Sequence, residues 1–470
     1  MNSTYVPHVL LLLFVLVSSG MQVALLVSAG RQLRRHRRAV WAERTQGLLA
    51  SPSTPSMTVL APVRDESATV AARLRDLLTL RYPRLEVVVI NDGSVDNTLD
   101  VLRRQFDLRR VHPSQRGSLG TGAIRGMYRS QLHRGLVVLD TAKGSRSEAL
   151  NAGLDVATGE LCCAVDADTV IGHEALLRIL RPFLADSRTV AALAYPRMSN
   201  GDGIRDGRPA EPRLPSRLLL GVQTVEQLRT LLLNRLGWNG LGGNLAAFGS
   251  LVVYRRADAT AAGGYGQEDS AQDTELVARL RRHAHRTGGP SRVTFVPDAV
   301  TWTRAPENVR DLLHQREEWQ RSLTRTAAAH GTATFNLRYR ALGILGMPHL
   351  IGIEILGPVV EAFGVFGIVL MVTLGSTQAT NGLALLVLYY GLGAALSLAG
   401  ILVHQSLAQN PFPAYDVPRL LVCAFVQNFG YRQLALPWRL RGSLRPPRGS
   451  EERWRPSRGR LGQPESSLAR

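Results

Sequence analysis

Residues Val6 to Ala29 form an apolar run long enough to span a bilayer, with the uncharged MNSTY before it and the basic RQLRRHRR after it. A secretory signal would carry its positive charge ahead of the apolar stretch. The pattern therefore predicts an anchor with its N-terminus outside and the next domain in the cytosol. Apolar character returns from Ala341: Leu342 to Leu356, Val359 to Leu374, Leu383 to Val403 and Val417 to Leu436 carry few charges. The expected organisation is a transmembrane anchor over 1–30, a basic and Ser/Pro-rich linker over 31–56 and a cytosolic domain over 57–334. A membrane region with two to four transmembrane or interfacial helices follows over 341–436, then a basic, disordered tail over 439–470. With that tail in the cytosol, an even number of crossings follows the domain.

The 56 lysines and arginines outnumber the 37 acidic residues, for a formal charge of +19, and Lys143 is the single lysine. Such a balance suits nucleic acid, but the Arg runs lie beside apolar segments, where cytoplasmic flanks collect basic residues. Membrane orientation accounts for them, and the bilayer rather than nucleic acid is the expected partner. Cys162, Cys163 and Cys423 sit in apolar runs without metal-type spacing and read as reduced and buried.

From Met57, the strand-like MTVLAPV, LEVVVIND, GLVVLDT, ELCCAVDAD and TVAALAYP are separated by the helix-like ESATVAARLRDLLTL, RSEALNAGLDVA and HEALLRILRPFL. This alternation predicts an α/β domain of nucleotide-binding type with a mostly parallel central sheet. Ligands of such sheets bind at the strands' carboxyl ends. Asp92 ends LEVVVIND, and Asp166 and Asp168 end ELCCAVDAD. Residues two apart on a strand face the same side, so the last two carboxylates converge and suit Mg²⁺ or Mn²⁺ held against a diphosphate. An Asp-x-Asp alone is common and usually caps a loop; its strand context gives this one weight. GSLGTGAIRG lacks both the Gly-x-Gly-x-x-Gly spacing and a preceding strand, and no Walker-type loop occurs, which argues against nicotinamide and P-loop folds.

Taken in order, these segments resemble the family 2 glycosyltransferases of GT-A fold, in particular the membrane synthases of poly-N-acetylglucosamine, cellulose and hyaluronan. APVRDE resembles their Pro-x-x-Asn-Glu-Glu opening, with Asp65 in the Asn position before Glu66, and VVVINDGSVDNT their uridine-binding strand and turn. RSEALNAG resembles the Gly-Lys-x-x-Ala-Leu-Asn element with Arg146 for Lys, and VDADT the metal and nucleotide motif. GGYGQEDSAQDTELVARL resembles the segment supplying the catalytic base, usually Thr-Glu-Asp: Asp273 takes the Asp position and Gln272 replaces Glu, with Glu268 and Asp269 as the neighbouring alternative. HQREEW resembles Gln-x-x-Arg-Trp: Gln315 and Trp319 are in place, while Glu318 stands where Arg is usual, leaving Arg316 or Arg321 to act instead. QNFGYRQLALPWRLRG resembles the closing element of bacterial members.

The resemblance implies an inverting hexosyltransferase in the plasma membrane that moves a sugar, first N-acetylglucosamine and then glucose, from a UDP-sugar to a growing β-linked polysaccharide. It implies Asp273 as base. Asp65, Glu66, Asp92, Arg146 and Asp166 would bind the donor nucleotide, and Asp168 with Asp166 the metal. Gln315, Arg316 and Trp319 would serve the acceptor or leaving group. Trp319 reads equally as an interfacial anchor, Asp273 also as an acidic first-turn helix residue, and Lys143 and Arg146 as phosphate contacts or helix-start decoration. Glu354 and Glu361, costly in an apolar stretch, line a glycan path or sit among headgroups. The resemblance also leaves room for accessory membrane subunits. Two other functions compete with polymer synthesis: single-step transfer to a lipid acceptor, and an inactive membrane scaffold that keeps the fold. Asp92, Asp166, Asp168 and Asp273 together argue against the scaffold.

Overall fold

The computed structural model describes residues 5–42, 45–112, 119, 124–166, 169–200, 204–205, 208–209, 213–245, 251–266, 272–289, 291–373, 379–407 and 411–444. Asp168, Glu268 and Asp269 lie outside them. The chain divides into two compact units: the first comprises Met1–Glu43, Pro212–Leu245 and Ala305–Pro447, and the second Arg44–Glu211, Ala246–Arg304 and Arg448–Arg470.

The second unit is built on a mixed sheet. In chain order its strands are β1 (Met57–Val63), β2 (Leu85–Asp92), β3 (Leu108–Val111), β4 (Ile124–Ser130), β5 (Leu136–Thr141), β6 (Leu161–Ala164), β7 (Val170–Ile171) and β8 (Thr189–Met198). The short β9 (Ile204–Arg205) and β10 (Arg208–Pro209) pair only with each other, and β11 (Val252–Arg255) and β12 (Arg292–Thr303) return to the main sheet. The order is β3-β4-β5-β2-β1-β6-β11-β8-β12-β7. Its centre, β5-β2-β1-β6, is parallel, as the alternation of strand and helix requires. Antiparallel pairs flank that centre through β4 on one side and β11 on the other. Every residue of MTVLAPV is buried, as are the last six of LEVVVIND. A parallel strand covered on both faces needs such a continuous apolar run.

Helix Arg146–Val156 starts with a full capping box: the Ser145 hydroxyl accepts from the Glu148 N–H, and the Glu148 carboxylate accepts from the Ser145 N–H. This fixes the helix start against the carboxyl end of β5. Gly93, which turns the chain after β2, has φ +57°, and a Cβ there would lie 2.5 Å from the Lys143 backbone nitrogen. Only glycine lets these two loops approach so closely.

The first unit is helical. Among the described residues, three of its helices are long and apolar enough to cross a membrane: Leu12–Arg38, Leu342–Thr373 and Thr380–Leu407. The first helix continues through the basic run to Ala42, because arginine is a good helix former and no breaker intervenes. The segment expected last among the apolar stretches forms a ten-residue helix, Val417–Val426, that leaves helical geometry at Phe429 and Gly430 before Arg432–Leu444. That final helix enters the stretch expected to be a disordered tail.

Both glutamates of the apolar stretches meet an arginine. Glu361, 5% exposed, accepts from Arg432 through Nε at 3.0 Å and Nη2 at 2.8 Å, and from the Tyr390 hydroxyl at 3.0 Å. A carboxylate among apolar helices is tolerable when its oxygens are satisfied this way. Glu354 is more open and lies 3.8 Å from Arg439.

Candidate functional site

In the second unit the charged loop residues cluster where the parallel strands end. Arg64, Asp65 and Glu66 follow β1, Asp92 closes β2, Lys143 to Arg146 follow β5, and Asp166 follows β6. Adjacent parallel strands put their carboxyl ends side by side, so sequence-distant loops share one rim.

Asp92 is buried and engaged on both oxygens. Oδ1 accepts from the Gly144 N–H at 2.9 Å, and Oδ2 forms an ion pair with Arg64 Nη2. Arg64 also donates through Nε to the Asp92 carbonyl at 3.0 Å and through Nη2 to the Gly144 carbonyl at 2.6 Å, joining the loops after β1, β2 and β5. Burial raises the Asp92 pKa, outweighing the Gly144 N–H and Arg64, which lower it. Asp65 adopts φ +53°; its N–H donates to Ser94 Oγ at 3.0 Å, and its Oδ1 accepts from the Val95 N–H at 2.8 Å. The N–H of Glu66 donates to Thr98 Oγ1 at 2.9 Å, and its carboxylate meets Arg73 at 3.1 Å. Much of what the sequence suggests as donor-binding acid thus also ties one loop to the next.

Arg146 is the hub beside the expected base. Nη2 pairs with Asp166, and Nη1 donates to Gln272 Oε1 at 2.7 Å, while Gln272 Nε2 donates to Ser147 Oγ at 2.8 Å. Asp273 follows in the first turn of helix Gln272–Arg286. Burial raises its pKa to about 7; Arg146 opposes the rise and Asp166 adds to it. The same proximity appears from the other side: burial alone would lower Arg146, but Asp166 and Asp273 lift it above its ordinary value. Asp166, Arg146 and Asp273 therefore share one electrostatic cluster. Asp166 keeps an exposed carboxylate side chain. Its hard oxygens suit Mg²⁺ or Mn²⁺, although no group of three or more metal-ligating residues occurs among the described residues, which exclude Asp168.

Arg64, inside APVRDE, and Asn151, the Asn that closes the Ala-Leu-Asn element, carry site geometry although the motif resemblance gives neither a role. Asn151 Nδ2 donates to the Tyr265 carbonyl at 2.9 Å, and its Oδ1 accepts from the Tyr265 N–H at 2.7 Å. This two-way grip holds the turn that leads toward Asp273. The turn also needs Gly264, with φ +67°, where a Cβ would lie 2.4 Å from Asn151 Oδ1. The Tyr265 hydroxyl bonds the Tyr254 hydroxyl at 2.9 Å, anchoring the turn to β11.

Gln315, Arg316 and Trp319 lie in the first unit on helix Val309–His330. Arg316 is buried, with Nη2 2.5 Å from Glu226 Oε2 and its guanidinium carbon 4.3 Å from the Trp319 ring centroid. Arg321 pairs with Glu317 at 2.9 Å. Glu318, in the usual Arg position, is exposed and meets His314 at 3.2 Å. The two arginines able to stand in for the missing one are thus each bound to a glutamate of their own unit.

Comparison with known proteins agrees with the family resemblance. Residues 58–222 match the family model for Glycosyl transferase family 2. The probable glycosyltransferase YdaM of Bacillus subtilis is 24% identical over 278 residues, 57% of this chain and 55% of its own. The poly-beta-1,6-N-acetyl-D-glucosamine synthase of Staphylococcus epidermidis is 24% identical over 255 residues, 54% of this chain and 51% of its own. The chain spans about half the length of the curated relatives it matches. Among solved structures, the mannosyltransferase PcManGT of Pyrobaculum calidifontis, in complex with GDP-Man and Mn²⁺, aligns with a TM-score of 0.48 at 18% identity, covering 88% of this chain and 99% of its own. Over residues 58–222, then, the chain carries a family 2 glycosyltransferase domain.

Proposed function

We infer that the chain is an inverting glycosyltransferase that moves a sugar from a UDP-sugar to a growing β-linked polysaccharide, with N-acetylglucosamine the first choice of sugar and glucose the second. The observation that carries this reading is the cluster of Asp273, Arg146 and Asp166. A carboxylate with a pKa of about 7 is a competent base near neutral pH. Asp273 takes the proton of the acceptor hydroxyl as its oxygen attacks the anomeric carbon from the face opposite the departing diphosphate. Arg146 meets negative charge on the diphosphate side, and Gln272 keeps its guanidinium oriented. Asp65, Glu66 and Asp92 hold the nucleotide and its loops. Asp166 and Asp168 would hold Mg²⁺ or Mn²⁺, which when bound neutralises diphosphate charge. Gln315, Arg316 and Trp319 serve the acceptor, with the indole offering an apolar face to a sugar.

On this reading the glycosyltransferase domain faces the cytosol, where nucleotide sugars are made, and the three long apolar helices seat the chain in the plasma membrane. One crossing before the domain and two after it satisfy the positive-inside balance.

The test is incubation of membranes containing the chain with a panel of radiolabelled UDP-sugars and Mg²⁺ or Mn²⁺, with Asp273→Asn alongside. Label should enter product from one sugar and vanish in the variant; label persisting in the variant removes Asp273 as base. Single-step transfer to a lipid is the second reading, favoured by Glu318 in the usual Arg position and by Arg316 being bound to Glu226. Product length separates the two: a ladder or high polymer supports polymer synthesis, and a single solvent-extractable band supports glycolipid synthesis.

A further inference from the structure

Three elements far apart in the chain converge on Arg316. Glu226 comes from helix Leu218–Gln227, Arg316 from helix Val309–His330, and Tyr431 from the closing segment QNFGYRQLALPWRLRG, just after the break at Phe429 and Gly430. The Tyr431 hydroxyl accepts from Arg316 Nη2 at 3.0 Å and Nε at 3.3 Å, and donates to Glu226 Oε2 at 2.8 Å. Arg316 Nη2 donates to that same carboxylate oxygen at 2.5 Å. The triangle is closed, and Arg316 and Tyr431 are only 8% and 6% exposed.

A guanidinium held by a carboxylate and a phenol in a buried setting has little freedom to tilt, because each departure weakens a charge-assisted bond. The guanidinium so held lies over the Trp319 ring, its carbon 4.3 Å from the ring centroid. A cation held over an indole face favours one ring plane, since rotating the side chain would weaken the contact. Glu226 and Tyr431 therefore bear on Trp319 through the Arg316 guanidinium that both of them hold.

We propose that Glu226 and Tyr431 are positioning residues that act through Arg316 to set the plane of the Trp319 indole, and so the orientation of the acceptor sugar stacked on it. The orienting role rests on the acceptor role inferred above for Trp319. Glu226 is outside every motif that the sequence resembles, and its part in the site comes from the fold alone.

The test uses the full-length protein in detergent, labelled with 5-fluorotryptophan. The chain has six tryptophans, and Trp319→Phe assigns the relevant fluorine resonance. Glu226→Gln keeps the side-chain shape and removes its charge. The Trp319 resonance should shift or split while the other five hold, and Tyr431→Phe should move it in the same direction by less. With UDP-sugar supplied, Glu226→Gln should raise the ratio of UDP released to sugar incorporated by roughly threefold or more with an unchanged KM for donor, because a misaligned acceptor leaves water to compete. An unmoved Trp319 resonance in both variants overturns the proposal, and so does equal movement of all six, which marks a merely structural role. An unchanged ratio beside a shifted resonance also overturns it as a device for orienting acceptor. A wild-type chain that releases UDP from no sugar nucleotide sinks the glycosyltransfer reading instead, and the fluorine result stands apart from it.

Discussion

Arg146 Nη1 donates to Gln272 Oε1 at 2.7 Å, so the two positions where RSEALNAG and SAQDTEL depart from the family's usual Lys and Glu are in direct contact. A lysine and a glutamate there would neutralise each other. A neutral amide instead leaves the guanidinium charge to Asp166 and Asp273, both of which hold Arg146 above its ordinary pKa.

Gln272→Glu should therefore disturb Asp273, the proposed base. A new carboxylate on Arg146 competes for its positive charge and adds negative charge beside Asp273, whose pKa already stands at about 7. Both effects raise that pKa further, and a base works only when deprotonated. The acidic limb of the kcat profile should move to higher pH by roughly half a unit to one unit. Adding Arg146→Lys, which restores the usual Lys and Glu together, should return the limb part of the way. An acidic limb that stays in place in the single variant contradicts the electrostatic account.

Asp273 should also cost stability. Its folded-state pKa of about 7 lies above the ordinary aspartate value of 3.8, so between those values the folded chain binds a proton that the unfolded chain does not. Stability from this group is therefore complete below pH ~4 and is lost as pH rises through 7. Asp273→Asn removes the penalty. The variant should melt higher than wild type at pH 8, by an amount on the order of 1–2 kcal/mol after allowing for partial solvent exposure, and the difference should shrink toward pH 5. Melting curves in detergent at several pH values would show it, and a variant less stable at pH 8 would refute it.

What was legible in the sequence follows from how each feature is encoded. LEVVVIND and ELCCAVDAD announce themselves because buried parallel strands need unbroken apolar runs, and because acids stand out after them: Asp92 closes β2, while Asp166 comes only after β6 has ended at Ala164. β12 is hidden by Pro297 and Asp298, which break its apolar pattern and coincide with the register shift between Val296 and Val300; the strand survives because the irregularity absorbs the proline. β4 reads as an irregular mix because it is an edge-region strand with exposed Arg125 and Arg129. Arg64 escapes notice in a chain where nearly every basic residue is arginine, so its identity carries no signal. Asn151 and Tyr265 are 114 residues apart, and a side chain gripping backbone leaves no periodic trace.

That grip can be tested through stability and rate together. Asn151→Ala removes one donor and one acceptor from the Tyr265 backbone, a loss of roughly 1–3 kcal/mol if water replaces them poorly. The turn before Asp273 then loosens, so kcat should fall further than the KM for donor rises. A variant with wild-type stability and wild-type kcat would show that the Tyr254 hydroxyl bond alone is enough to hold the turn.

Lys143 offers a chemical readout of the proposed nucleotide site. It is exposed, the only lysine in the chain, and its backbone packs against Gly93 directly after Asp92, while the next residue, Gly144, donates to Asp92 Oδ1. Periodate-oxidised UDP carries two aldehydes on its ribose, which form a Schiff base with an amine but not with a guanidinium. If the Asp92 rim holds the nucleotide, borohydride trapping should fix one label at Lys143, readable by peptide mass spectrometry. Excess UDP should block it and Lys143→Arg should abolish it. The N-terminal amine is the one competing nucleophile of this type and serves as an internal control, since UDP should leave its labelling unaffected. Labelling confined to the N-terminus, or labelling of Lys143 that UDP does not suppress, would mean that the nucleotide sits elsewhere than at the loops after β2 and β5.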